Sequence, residues 1–266
     1  MERLTPTVAI TGLEFLVFSS LRQHNLLPKK PTVLELGESN WYGDVSTAQL
    51  ESAIHEFVTE PARRESLIDR LKNAAVTAPP DSLYRIARIF FEGLTDFSTY
   101  SAIDPGTPGS TYQFDLNLPV PLEQQFDLVI NIGTAEHVFN VHQFFKTAHN
   151  LTKPGGVMIH SCPFTGWPDH GFFSFQPTFF FDLARSNHYT ILSFVCGQIH
   201  PPQWVQIASH DEIPGLLKSG RIPKNSHINV VLRKAAENSE FAIPMQGYYA
   251  GVLSDELRKR WHELPV

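Results

Sequence analysis

Residues 33–40 read VLELGESN, an apolar run that enters a glycine and then becomes polar. The apolar run that begins at Thr32 and ends at Leu36 has the length of one buried strand. A glycine directly after such a strand lets the loop backbone approach a ligand closely, where a Cβ atom would collide. Open α/β sheets bind ligands outside the carboxyl ends of their strands, so this stretch predicts the first strand of such a sheet and a binding loop after it.

Segments typical of strands and of helices alternate along the rest of the chain. Strands are predicted at residues 32–36, 99–103, 111–114, 126–132, 157–161, 190–195 and 227–232. Helical spacing of apolar residues occurs in the N-terminal segment, residues 1–30, between the strands, and at residues 255–264. The alternation predicts the α/β class, with a seven-stranded, mostly parallel sheet that carries helices on both faces.

The composition indicates one globular domain over residues 1–266. The 266 residues are 42% hydrophobic and 18% charged, which is enough to bury a full core. A net charge of −6 argues against a general nucleic-acid-binding protein, which needs a cationic surface. No apolar stretch has the length of a membrane span, and no secretion signal is recognisable. Two cysteines indicate neither a disulfide framework nor a zinc site. We therefore expect a cytoplasmic protein without a membrane or nucleic-acid partner.

Acidic residues follow two further predicted strands. Asp104 comes after the strand at 99–103, and Asp115 comes after the one at 111–114. A carboxylate at the first position can accept hydrogen bonds from both hydroxyl groups of a ribose, and one at the second can bond an adenine amino group. Each residue alone is more commonly a turn former or a helix cap, so the interpretation depends on the ordered set.

The segment between the first two strands is longer than a strand–helix–strand unit needs. Gly37 and Asp104 are separated by far more than the spacing of about 20 residues that is usual between a glycine loop and the ribose-binding acid. Two additional helical patterns account for the difference and predict a helical insertion over residues 46–80. The insertion has three alternative roles: a lid over the binding loop, an oligomer interface, or a plain cover for the sheet.

The ordered set of motifs resembles the class I S-adenosylmethionine-dependent methyltransferases. The motifs are ELG at 35–37, ID at 103–104, FDL at 114–116, FDLVI at 126–130, EHV at 136–138 and KPGG at 153–156. The resemblance extends over roughly half of the chain. It implies a Rossmann-like fold in a single class I methyltransferase domain, with S-adenosylmethionine as the cofactor.

The resemblance also implies which residues bind the cofactor. Glu35 faces the methionine amino group, Asp104 holds the ribose, and Asp115 holds the adenine. The full predicted set lies in the loops after successive strands: Glu35, Gly37, Glu38, Ser39, Asp104, Asp115, Leu116, Asn131, Gly133 and Thr134.

The first loop departs from the family pattern. Residues 38–40 (ESN) follow Gly37, where two or three glycines are usual. An NAD-dependent oxidoreductase is the weaker alternative, because the later glycines that admit a pyrophosphate are missing. The same departure is the best support for another alternative, a binding or scaffold protein that keeps the fold without catalysis.

Two histidines are the candidate catalytic residues. His170 follows the predicted strand at 157–161, where substrate loops are expected, and imidazole titrates near neutral pH. We predict that it is the base for a hydroxyl acceptor, with a structural loop histidine as the alternative. His137, next to Glu136, is the second candidate. Capping of the following helix is the role that we favour over metal binding for this pair.

No metal is predicted. Some methyltransferases carry Glu-x-x-Glu-His at this position and bind a divalent metal, but Gly133 occupies the first glutamate position here. His160 and His170 are the residues that could replace the missing ligand. The predicted partner is a small-molecule methyl acceptor, and O-methylation of a sugar or a secondary metabolite is the most specific form of that prediction. A homo-oligomer is left open.

Aromatic residues near the predicted loops are candidates for substrate contact. Trp41 and Tyr42 follow the first loop, and Trp167 precedes His170. The phenylalanine-rich segment 172–181 lines an acceptor pocket or, as the more common alternative, belongs to the core.

Overall fold

The computed structural model describes residues 9–107, 110–200, 203–237 and 240–257. The main strands are β2 (Thr32–Leu36), β4 (Thr99–Ile103), β5 (Phe126–Ile132), β6 (Thr152–Thr165), β7 (Thr190–Gln198), β8 (Gln203–Gln206) and β9 (Ser226–Arg233). They form one seven-stranded sheet in the order β4-β2-β5-β6-β9-β7-β8. Two short strands, β1 (Ala9–Ile10) and β3 (Asn40–Trp41), pair with each other outside it.

The sheet is mixed rather than strictly parallel. Strands β4, β2, β5 and β6 are parallel neighbours, which places their carboxyl ends at one edge. Strand β9 is antiparallel to both β6 and β7, and β8 is antiparallel to β7. The predicted α/β class and the seven-stranded sheet are confirmed, with two strands that run against the others.

One predicted strand is wrong and one strand was not predicted. Residues 111–114 contribute only an isolated bridge between Tyr112 and Ile103, because the polar residues around Tyr112 turn the chain after a single pairing. Strand β8 takes the seventh place, at the opposite edge of the sheet. It is short and mostly exposed, so no apolar run marks it in the sequence.

Helices cover both faces of the sheet. The first group is α1 (Gly12–Gln23), α2 (Thr47–Phe57), α3 (Pro61–Ala75) and α4 (Asp81–Thr95), and the second is α5 (Val141–Leu151), α6 (Pro177–Ser186) and α7 (Ile213–Lys218). Neighbouring residues of a strand point to opposite faces, so Val33 packs with the first group and Leu34 with the second. A short helix, α8 (Gly247–Ala250), follows the sheet.

The predicted insertion is helical in the structure. Helices α2 and α3 pack against each other and against α4, and their apolar faces belong to the same buried cluster as those of α1 and α4. The insertion therefore adds a second helical layer outside α4. The ends of two predicted helical segments, residues 1–8 and 258–264, lie outside the described residues.

Within the described ranges, no helix is both long enough and apolar enough to cross a membrane.

Candidate functional site

The loops after β2, β4 and β5 meet at one edge of the sheet. The register pairs Glu35 with Ala102 on one side and with Ile130 on the other. Beyond the strands, the Gly37 amide donates a hydrogen bond to the Ile103 carbonyl group at 2.8 Å. The predicted cofactor loops are thus adjacent in space, as expected for the carboxyl ends of parallel strands.

Gly37 is held close to the loop after β5. Its φ of +84° is in the region that glycine adopts without strain, and a Cβ atom here would overlap the Thr134 side chain. Within the described chain, Thr134 Oγ1 is buried without a hydrogen-bond partner. The close approach of the Thr134 side chain requires glycine at position 37 and leaves a polar group at the junction of the two loops, while the predicted approach of a ligand stays a prediction.

The Asp104 carboxylate is bonded to the loop backbone. One oxygen accepts from the Glu38 amide at 3.0 Å, and the other accepts from the amides of Gly106 and Thr107 at 2.7 and 3.0 Å. A carboxylate has about four acceptor positions, so one remains for a ligand. Asp104 therefore shapes the first loop in addition to its predicted contact.

Asp115 and Leu116 lie in the segment that runs alongside β4. Leu116 is buried, whereas Asp115 is exposed and accepts hydrogen bonds from the backbone and side chain of Asn117 at 2.9 and 2.8 Å. These bonds hold the pKa of the Asp115 carboxyl group below its ordinary value. The segment stays near the first loop because the Asp104 amide donates to the Tyr112 carbonyl group.

Glu35 lies at the centre of a buried polar network. Its side chain is completely buried and accepts hydrogen bonds from the hydroxyl groups of Ser39 and Tyr100. Burial raises the pKa of Glu35 to about 7, although both hydroxyl groups oppose the shift. The Glu35 carboxyl group can therefore gain or lose a proton near neutral pH.

Arg88 of α4 connects this network to Glu38. Its guanidinium group lies 3.2 Å from a Glu38 oxygen, and its central carbon is 3.6 Å from the centroid of the Tyr100 ring. The other Glu38 oxygen is buried and lacks a hydrogen-bond partner among the described residues. Neither Arg88 nor Tyr100 was predicted, because the sequence marks them only as members of a helix and a strand.

Asn131 organises the loop after β5. The side chain is buried, and its oxygen accepts from the amides of Thr134 and Ala135 at 3.2 and 3.1 Å. On its other side, the amide nitrogen lies 3.4 Å from the His160 ring. Asn131 thus fixes the course of the backbone through Gly133.

Glu136, His137 and His170 come together beside this loop. The Phe172 amide donates to the Glu136 carbonyl group at 2.8 Å, which ties the His170 loop to the turn that contains Glu136. His170 Nε2 lies 3.6 Å from a Glu136 oxygen, and the centroids of the His170 and His137 rings are 5.1 Å apart. Burial lowers the pKa of His137, and the nearby Glu136 opposes this shift. The two predicted catalytic histidines are therefore neighbours.

The same three residues are those that could hold a cation. One ligand atom from each lies within 4.8 Å of the others. Of the two histidines considered as a replacement ligand, His170 lies in this group, whereas His160 packs between Phe145 and Phe180. The helix-capping alternative for Glu136 and His137 is wrong, because Asn140 caps α5.

A small cavity of about 90 Å³ lies next to Gly133 and the His170 loop. Tyr42 and Trp167, two of the three aromatic residues that the sequence suggests for substrate contact, line it. Trp41 does not, and its indole N–H donates to the Val45 carbonyl group in the core at 3.1 Å. The segment 172–181 is divided, since Phe175 and Phe180 are buried in the core and Phe172 is exposed.

Glu14 is a cavity residue that the sequence did not reveal. It is 2% exposed, and one oxygen accepts hydrogen bonds from Ser161 Oγ at 2.7 Å and Asn229 Nδ2 at 3.0 Å. The other oxygen accepts from the backbone and hydroxyl group of Thr11, which caps α1. The local pattern from Thr11 to Glu14 predicts a capping box and gives no sign of the distant contacts.

Comparison with solved structures gives only distant likenesses. An O-methyltransferase from a trans-AT PKS multienzyme of Brevibacillus brevis, in complex with S-adenosyl-L-homocysteine, is similar over 95% of this chain and 85% of that one, at 12% identity and a TM-score of 0.40. A Burkholderia thailandensis 1,6-didemethyltoxoflavin-N1-methyltransferase is similar over 83% and 78%, at 12% identity and a TM-score of 0.33. A SAM-dependent methyltransferase from Thermotoga maritima is similar over 84% and 89%, at 16% identity and a TM-score of 0.39. With TM-scores below 0.5, none of these likenesses supports a conclusion about activity.

Comparison with protein families and curated sequences gives one match, over part of the chain. No curated protein matches the chain. Residues 104–160 match a family described as a methyltransferase domain. The matched residues run from Asp104, through β5 and the Glu136–His137 turn, to His160 on β6. This part of the chain, with the loops that it brings to the carboxyl edge of the sheet, is similar to the methyltransferase-domain family.

Proposed function

We propose that the protein transfers a methyl group from S-adenosylmethionine to a hydroxyl group of a small molecule, such as a sugar or a secondary metabolite. The observation that carries this proposal is the position of Gly133. Its φ is +69°, its loop lies against the glycine loop after β2, and it also lines the cavity that contains Glu136 and His170. A cofactor over the two loops would present its reactive end to that cavity.

The residues at the loops fit this cofactor. Glu38 and Thr134 each place a buried, unpartnered oxygen there, as judged over the described residues, and Gly37 allows the Thr134 side chain to pack against the first loop. Glu35 and Asp104 would hold the methionine amino group and the ribose. When bound, S-adenosylmethionine supplies a methyl group on a sulfonium centre, which is already a good leaving group.

His170 is the base in this proposal. The imidazole ring of His170 would take the proton of the acceptor O–H group as the oxygen bonds to the methyl carbon. The bond from that carbon to the sulfonium sulfur would break in the same step and release a neutral thioether. The Glu136 carboxylate, 3.6 Å from His170 Nε2, stabilises the imidazolium that forms. Much of the remaining rate comes from alignment of the acceptor with the methyl group, which needs no further chemistry from the protein.

A calorimetric titration separates this function from its alternatives. We expect micromolar binding of S-adenosylmethionine and of its demethylated product, S-adenosylhomocysteine, and no binding of NAD. Binding of NAD alone would favour the oxidoreductase. Absence of binding by all three would favour a scaffold that retains only the fold.

A further inference from the structure

Unpartnered polar atoms are concentrated around the cavity beside Gly133. Among the described residues, both Glu136 oxygens, Trp167 Nε1 and His227 Nε2 are buried without a hydrogen-bond partner, and all three side chains line this cavity. The 3.6 Å contact of Glu136 with His170 is too long for a hydrogen bond. Because nearly all buried polar groups in proteins are hydrogen-bonded, this concentration indicates a polar ligand.

The unpartnered groups require both kinds of hydrogen-bonding partner. Carboxylate oxygens only accept hydrogen bonds, and the indole N–H only donates one. A bare cation would pair with Glu136 and leave the Trp167 N–H without an acceptor. An anion would accept from Trp167 and leave Glu136 without a donor. A hydroxyl group can donate to Glu136 and accept from Trp167 at the same time.

The charges around the cavity exclude an anionic group. Glu14 and Glu136 are 2% and 0% exposed, and the structure places both at the cavity wall. None of the lining residues in the described part of the chain is a lysine or an arginine. A carboxylate or phosphate entering this space would lose its hydration and face two like charges.

The volume limits how much of the ligand can enter. The cavity of about 90 Å³ is much smaller than the roughly 300–1,000 Å³ of pockets that enclose a whole small ligand. Its volume is enough for one or two hydroxyl groups and the carbon atoms between them, while the rest of a larger molecule stays outside. The cavity therefore selects the reacting end of the acceptor.

We propose that the methyl acceptor is a neutral molecule with adjacent hydroxyl groups, one of which lies between Glu136 and Trp167 and accepts and donates hydrogen bonds there. The neighbouring hydroxyl group then lies on the His170 side, where the methyl group is transferred. The role of the second hydroxyl group, as the group that is methylated, rests on the proposed function. Recognition of the first hydroxyl group depends only on Glu136 and Trp167.

Three two-carbon probes of similar size test the recognition: ethylene glycol, glycolate and ethylamine. Binding is measured by ligand-observed NMR on the full chain, with and without S-adenosylhomocysteine. We expect binding of ethylene glycol that EDTA leaves unchanged and no binding of glycolate. We also expect weaker binding of ethylamine, because its ammonium group leaves the Trp167 N–H without an acceptor. Equal or stronger binding of either charged probe, or no binding of ethylene glycol, would overturn the proposal. Loss of glycol binding on addition of EDTA, with recovery in Mn²⁺, would also overturn it by showing that a metal occupies Glu136.

Conservative variants assign the binding to the two residues. Trp167→Phe keeps the ring and removes the N–H, and Glu136→Gln keeps the shape and removes the charge. Each should weaken glycol binding about tenfold, the effect of one lost hydrogen bond in a buried site. Trp204→Phe, at an exposed tryptophan outside the cavity, and the exposed Glu123→Gln are matched controls that should bind as the wild type does. Unchanged binding by a correctly folded Trp167→Phe protein would refute the assignment even if Glu136→Gln failed to fold.

The same samples distinguish this inference from the proposed function. S-adenosylhomocysteine binding with no glycol binding would refute the inference alone. Glycol binding without S-adenosylhomocysteine binding would refute the proposed function and leave a hydroxyl-recognising cavity.

Discussion

The Tyr100 hydroxyl group donates a hydrogen bond to the buried carboxyl group of Glu35, across the first two strands of the sheet. Arg88 lies over the same tyrosine ring and contacts Glu38. Contacts from Tyr100 of β4 and Arg88 of α4 thus hold Glu35 and Glu38, the residues on either side of the glycine turn. Burial is the largest influence on the Glu35 carboxyl group and raises its pKa to about 7, so the site has a titratable group at neutral pH.

Replacement of Glu35 should change how stability depends on pH. The pKa of Glu35 is raised from 4.5 to about 7, so its favourable contribution is fully present below about pH 4.5 and is lost as the pH rises through about 7. Relative to wild type, Glu35→Gln should therefore gain up to roughly 3 kcal/mol in the free energy of unfolding between pH 4 and pH 8. Urea unfolding of both proteins across this range measures the difference. A difference that stays constant with pH would show that Glu35 does not titrate in this window.

Replacement of Gly37 should be costly for two separable reasons. Gly37→Ala places a side chain at a φ of +84° and drives it into Thr134. Gly155→Ala is the matched control, because its φ is +75° but nothing lies within 4 Å of the added Cβ atom. The control should lose about 1 kcal/mol of stability, the cost of the backbone conformation alone. Gly37→Ala should lose more and should also bind S-adenosylhomocysteine more weakly. Equal effects of the two substitutions would contradict the close approach to Thr134.

Replacement of Arg88 should weaken cofactor binding without removing a cofactor contact. Arg88→Ala frees Glu38 and uncovers the Tyr100 ring, so affinity for S-adenosylhomocysteine should fall by roughly three- to tenfold, the effect of one lost hydrogen bond of ordinary strength. Arg85→Ala, on the exposed side of the same helix, is the control and should leave the affinity unchanged. Calorimetry on the three proteins measures the effect. If Arg88→Ala binds as tightly as wild type, α4 has no part in positioning the loop.

Replacement of His170 should reduce turnover and leave cofactor binding intact. His170→Ala removes the proposed base, so kcat should fall by about a hundredfold or more, the usual contribution of general base catalysis. The exposed His55→Ala on α2 serves as the control. Methyl transfer from radiolabelled S-adenosylmethionine to an acceptor with adjacent hydroxyl groups provides the assay. If kcat is unchanged in His170→Ala, His170 is not the base and has only a structural role.

The sequence predicts the strands that end at the site well and the edges of the sheet poorly. Strands β2, β4 and β5 have the predicted bounds, because each is an apolar run that ends at a glycine or an acid. The edges of the sheet lack such an apolar run. Residues 111–114 are too polar to continue a strand. Strand β8 is short and exposed, and only its pairing with β7 shows that it is a strand.

The site is predictable where function depends on local pattern. Gly37, Asp104 and Gly133 each follow a strand, so their meeting at one edge follows from the fold class. Glu14 and Arg88 were missed because their partners are distant in sequence. Glu14 meets Ser161 and Asn229 only after α1 has packed onto β6 and β9, and no pattern within a single segment predicts such contacts.

A crystal structure of the protein soaked with S-adenosylhomocysteine would show whether the loop edge binds this cofactor. We expect density for the ligand across the loops that contain Gly37 and Gly133, with its ribose at Asp104 and its sulfur atom facing the cavity of Glu136 and His170. Ligand density elsewhere on the protein, or an empty loop edge at saturating ligand, would contradict this expectation.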